Sequence, residues 1–120
     1  MKYMLLIYND PEQQPDYGTE AFDAMMQGFF AANDKMKADG VLVDGESLTE
    51  PKTATSVRVK EGKTETMDGP FAETREYLGG YYIVDVPNLD AAISYAELIP
   101  STKWGTVEVR ALMDYNPAGN

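Results

Sequence analysis

The chain has no cysteine and no histidine. Without cysteine there is no disulfide, no thiolate nucleophile and no Cys-ligated zinc or iron–sulfur site. That absence fits a reducing compartment. Without histidine, the side chain that usually titrates near neutral pH is missing, and so is the commonest metal ligand. Basic residues are also scarce: 10 Lys and Arg stand against 20 Asp and Glu, a net charge of -10. An acidic field of this size repels phosphate backbones and anionic headgroups, so no nucleic acid and no membrane is expected as a partner. Long apolar runs are missing too. Nothing approaches the roughly 20 residues needed to span a bilayer. The segment Met1 to Tyr8 is too short, and has no cleavage site, for a signal peptide. A cytoplasmic protein is the expectation.

What is present bounds the fold. At 120 residues and 43% hydrophobic, the chain reads as a single domain over 1–120, with a real core. Tyr3 to Tyr8 is a short apolar run, expected to be a central strand ended by Asn9-Asp10-Pro11. Thr19 can cap a helix whose stripe runs through Phe22, Met25, Met26, Phe29 and Met36. Gly28 inside that helix marks close packing, and Asp39-Gly40 closes it.

Val41 to Leu48 reads as a strand. A glycine bulge at Asp44-Gly45 is preferred to a hairpin there. Leu42, Asp44, Glu46 and Leu48 are expected to share one face. Ser56 to Lys60 and Lys63 to Met67, around Glu61-Gly62, form a β-hairpin signal that is polar enough for the surface. Gly80 to Val86 is a strong strand. Asn88 can cap a second helix with the stripe Leu89, Ala92, Ile93 and Ala96, stopped by Pro100. Trp104 to Met113 is the last strand. The tail from about 115 is expected to be loose or to dock on a neighbour.

Setting the hairpin aside, the order is strand, helix, strand, strand, helix, strand. That is the α+β, ferredoxin-like βαββαβ pattern with an inserted β-hairpin. Helices cover one sheet face. The other would expose Leu42, Leu48, Ile83 and Trp104, and a homodimer is the simplest cover.

The stretch Asp68-Gly69-Pro70-Phe71-Ala72-Glu73-Thr74-Arg75-Glu76, continuing into Gly79-Gly80-Tyr81-Tyr82-Ile83-Val84, resembles the DGPF branch of the YCII-related proteins. Gly45-Glu46-Ser47-Leu48, Ile99-Pro100-Ser101 and Gly105-Thr106-Val107-Glu108-Val109-Arg110 carry the resemblance along nearly the whole chain. It implies a dimeric α/β barrel of ferredoxin-like protomers with a cleft between the sheets or near the dimer interface. A His–Asp pair is the catalytic unit proposed for some relatives. This chain lacks the histidine, so Asp68 inherits no role by name.

Candidate chemistry comes from the residues themselves. Asp68 is either a general base at a cleft mouth or a turn aspartate accepting backbone N–H bonds. Arg75 either clamps an anionic ligand or pairs with Glu73, Glu76 or a residue across the dimer. Tyr81 and Tyr82 point to opposite faces, and Tyr81, sharing its face with Asp85, is the better site residue. Asp44, Glu46, Tyr81, Asp85, Glu108 and Arg110 share the uncovered face. There they either pair among themselves or line a wet cavity, where clustered carboxylates supply acid–base chemistry without histidine.

The catalytic candidates are Asp68 and Glu46, and the substrate-binding candidates are Arg75, Tyr81 and Arg110. No metal site or cofactor is expected, because no compact ligand motif or nucleotide fingerprint is present. The expected function is a small-molecule-binding or enzyme-like protein with an acidic, tyrosine-bearing cleft for proton transfer on a small metabolite. The alternative is a non-catalytic dimeric module that binds a protein partner.

Overall fold

A computed structural model describes residues 1–115. The expectation for the chain beyond them lies outside the described residues. The elements run β1 (Lys2–Asn9), α1 (Glu20–Ala38), β2 (Leu42–Ser47), β3 (Thr55–Lys60), β4 (Lys63–Asp68), β5 (Tyr77–Asp85), α2 (Leu89–Ala96) and β6 (Gly105–Ala111). Four strands form one sheet in the order β2-β5-β1-β6, every neighbouring pair antiparallel. With β3 and β4 set aside, this is the ferredoxin-like arrangement expected from the element order.

Local chemistry explains the element ends. Thr19 Oγ1 accepts the Phe22 N–H at 3.1 Å and starts α1. Gly40, at φ +72°, ends it. Asn88 Oδ1 accepts the Ala91 N–H at 2.9 Å and starts α2. A side chain at Gly28 would place its Cβ 2.7 Å from Pro100 Cγ, so that glycine lets α1 press against the turn after α2.

The core lies between the sheet and the two helices. Tyr3, Leu5 and Ile7 of β1 pack with Val84, Val86, Met36, Ala92, Ala96 and Ile99. Of the α2 stripe, only the alanines are buried. Leu89 and Ile93 are exposed, because the small side chains sit at the closest approach to the sheet.

Two bulges revise the expected faces. The β2–β5 register shifts between Leu42 and Asp44, so Val43 is the extra residue. Leu42 therefore pairs with Val84 and packs on the core, not on the uncovered face with Asp44 and Glu46. The bulge sits one step earlier than Asp44-Gly45. The β1–β5 register shifts at Gly79, and this lets β5 begin at Tyr77. Trp104 ends a short 3-10 turn rather than joining β6. Leu48 lies just past the end of β2.

The hairpin is a separate two-stranded sheet whose strands pair only with each other. Glu61 and Gly62 both have positive φ, 51° and 77°, the type I′ turn that matches strand twist. Val57, Val59, Met67 and Phe71 are all exposed on or beside this arm.

Candidate functional site

On the sheet face away from the helices, register aligns side chains in rows. Glu46 stands opposite Tyr81, then Leu6, then Glu108. Asp44 stands opposite Ile83, then Met4, then Arg110. Every charged residue expected on this face is there, but the rows divide them between two edges. At the β2/β5 edge, Tyr81 Oη donates to Asp44 Oδ2 at 3.0 Å beside Glu46. At the β6 edge, Arg110 is paired with Glu108. Three strand spacings, about 14 Å, separate the β2 edge from the β6 edge.

The hydrogen bond to Asp44 holds the Tyr81 hydroxyl above its ordinary pKa, with partial desolvation and the Asp44 and Glu46 charges adding to it. Tyr81 therefore keeps its proton at neutral pH and acts as a hydrogen-bond donor to the Asp44 carboxylate. Asp39 raises Tyr95 through its own hydrogen bond at 2.7 Å, and burial raises Tyr82. Ultraviolet titration should show these three tyrosines ionising after the ordinary range, and Asp44→Asn should move one of them back towards it. An unchanged Asp44→Asn curve would remove Asp44 as the cause. The sign for stability follows. A raised tyrosine pKa contributes stability below about pH 10, and that contribution is lost as pH rises through the folded value.

Arg75 lies elsewhere. Its Nε sits 3.1 Å from Oδ2 of Asp10, a carboxylate whose side chain is 5% exposed, and it also approaches Glu12 at 3.4 Å. Asp10 further accepts the Glu12 N–H and the Gln13 side-chain amide. This pairing ties the connector before β5 to the loop after β1. Asp10 went unnoticed in the sequence, where Asn9-Asp10-Pro11 reads only as a strand end; its burial is a tertiary effect with no local signal. Arg75→Ala should cost about 1.5–2 kcal/mol by stripping a charged partner from a buried carboxylate. Chemical denaturation measures this, and a loss under about 0.3 kcal/mol would show the pair to be incidental.

Asp68 ends β4 with its side chain exposed. The turn after it is closed by Gly69 N–H to the Ala54 carbonyl (2.7 Å) and by Ser56 Oγ to the Gly69 carbonyl (2.8 Å). Of the five named candidates, the structure brings together only Glu46 and Tyr81.

On the helix side of the same β2/β5 edge lies a half-open cleft of about 500 Å³, roofed by α1 and floored by Gly79 and Gly80. Nothing local in the sequence signals that α1 roofs the diglycine. Among the described residues, no group of three or more Asp or Glu is placed to hold a metal ion. No helix there is long and apolar enough to cross a membrane.

Comparison with known proteins fits this architecture. The solved structure of the 5-chloro-2-hydroxyhydroquinone dehydrochlorinase TftG from Burkholderia phenoliruptrix AC1100, in complex with 2,5-dihydroxybenzoquinone, is similar with a TM-score of 0.52 over 94% of each chain. At 12% identity, that likeness concerns the fold alone. An uncharacterised protein of Rhizobium meliloti (strain 1021) is 36% identical over 121 residues, 98% of this chain and 96% of that protein. The YCII-related domain model matches residues 1–116, and the chain belongs to the YCII-related family.

Proposed function

We propose that this YCII-related protein binds a small metabolite and carries out proton transfer on it at the β2/β5 edge of the open sheet face. The observation that carries the reading is the Tyr81 hydroxyl held on Asp44 at 3.0 Å beside Glu46, three groups from two adjoining strands. Tyr81, held protonated, offers its hydroxyl as a hydrogen-bond donor that orients the substrate. Glu46, exposed and opposite Tyr81 in register, accepts or returns a proton. The TftG structure, which holds a small quinone, supports a small-molecule role for the fold.

A second copy of the chain covers the open face. Met4, Leu6, Tyr8 and Ile83 lie there only half-buried, an apolar strip that water solvates poorly. The pair then forms the DGPF-type dimeric barrel, with the acidic edge at its rim.

Native mass spectrometry of protein purified gently from its source tests this reading. A dimer with a reproducible small-molecule increment is expected. A ligand-free monomer would contradict both parts.

A protein-interaction module is the second reading, and the β3–β4 arm favours it. A lone two-stranded hairpin is marginal in water, yet this one exposes Val57 (61%) and Val59 (70%). Arg58 stacks 4.7 Å over Phe71 at its base. Loss of a co-purifying protein on deleting the arm would shift weight to this reading.

A further inference from the structure

The cleft on the helix side of the β2/β5 edge has its own chemistry, although Glu46 and Tyr81 of the acid–base cluster also border it. Its floor is bare peptide. A Cβ at Gly80 would lie 2.7 Å from the Glu46 carbonyl oxygen, and one at Gly79 would lie 2.5 Å from Asn9 Nδ2. At Gly80 the clash is with backbone, so no side chain fits there; at Gly79 it is with the movable end of Asn9, so the bare floor rests on Gly80. The roof is soft and aromatic, made by Met26, Phe29 and Phe30 of α1. Phe30 is 55% exposed, a large apolar group left at the cleft edge. The polar groups of the lining include neutral amides, Asn9 and Asn33. Asn9 is oriented from behind, its Oδ1 accepting from the buried Ser101 hydroxyl at 2.8 Å.

No lysine or arginine lines this cleft. The one charged residue on its border is Glu46, whose side chain the strand pleat sends to the other face. An anion entering here would lose water without gaining a counter-ion, inside a chain of net charge -10. A flat ring, by contrast, fits between peptide floor and aromatic roof, and amides at its rim can pair with hydroxyl or carbonyl groups.

We propose that this cleft is a binding site for an uncharged, planar ring metabolite bearing hydroxyl or carbonyl substituents, and that it discriminates against carboxylated analogues. The cleft volume of about 500 Å³ is within the range of small-molecule sites.

Two probes that differ by one carboxylate test the proposal: hydroquinone and 2,5-dihydroxybenzoate. In amide-resolved NMR titrations, hydroquinone should shift the signals of Phe29, Phe30, Gly79 and Gly80 saturably. The carboxylated probe should bind about tenfold or more weakly. Asn33→Lys places a cation on the α1 wall and should bring the carboxylate probe to at least equal strength. Phe30→Ala, at an exposed position, should weaken hydroquinone while leaving the fold intact. Equal binding of both probes to the unaltered protein would overturn the charge argument. Shifts from neither probe at the diglycine would overturn the site. Either result leaves the Tyr81–Asp44 chemistry to stand or fall on its own test.

Discussion

Replacing Glu46 with glutamine should slow turnover of the protein's substrate by about 10²–10⁴-fold, the usual worth of a positioned general acid or base. The substitution keeps size and shape and removes only the ability to take up and release a proton. Glu46 is exposed on the edge strand β2, so neither core nor register depends on its charge. Folding and substrate affinity should therefore stay close to those of the parent. Two controls sharpen the result. Asp68→Asn, on the outlying arm, should leave turnover unchanged. Asp44→Asn should slow it less than Glu46→Gln, because the Tyr81 hydroxyl keeps an amide partner. Turnover within about threefold of the parent for Glu46→Gln would exclude Glu46 as acid or base.

Leu5→Ala should destabilise the protein by about 2–5 kcal/mol. Leu5 is fully buried, centred on β1 between its register partners Tyr82 and Val109, in one core cluster with Met36 of α1 and Ala92 and Ala96 of α2. The side chain leaves a cavity that flanking strands cannot close without breaking their ladders. Urea denaturation should show a lower midpoint at similar slope. Leu6, one residue on, makes the contrast. It points to the open face and is only half-buried. If a second copy covers that face, Leu6→Ala should act through association, so its effect should grow on dilution while the Leu5→Ala effect does not. A Leu5→Ala loss under about 1 kcal/mol would mean the core is not centred where β1 places it.

Much of this fold was legible because local chemistry and global topology agree. Thr19 and Asn88 announce both helix starts, and Glu61-Gly62 announces its hairpin turn. The order of apolar runs gives the βαββαβ pattern. What failed was parity. A strand pattern read by twos assumes no extra residue, and one at Val43 moved Leu42 from the open face to the core. The uncovered face was legible in composition, and Asp44, Glu46, Tyr81, Asp85, Glu108 and Arg110 do share it. Its division into two edges was not, because strand order decides that and no single strand encodes it. Arg75 shows the same limit. Its charged neighbours in sequence were the obvious partners, yet it pairs with Asp10, 65 residues away. The cleft under α1 is likewise a product of assembly, formed where a glycine floor happens to lie beneath a helix.

The most direct test of the account is an amide-resolved NMR spectrum of the protein with the small molecule recovered from it, or with a metabolite fragment library where none is recovered. Saturable shifts at Asp44, Glu46, Tyr81 and their strand neighbours are the predicted result. Shifts confined to the β3–β4 arm, or none anywhere, would contradict a small-molecule function at the β2/β5 edge.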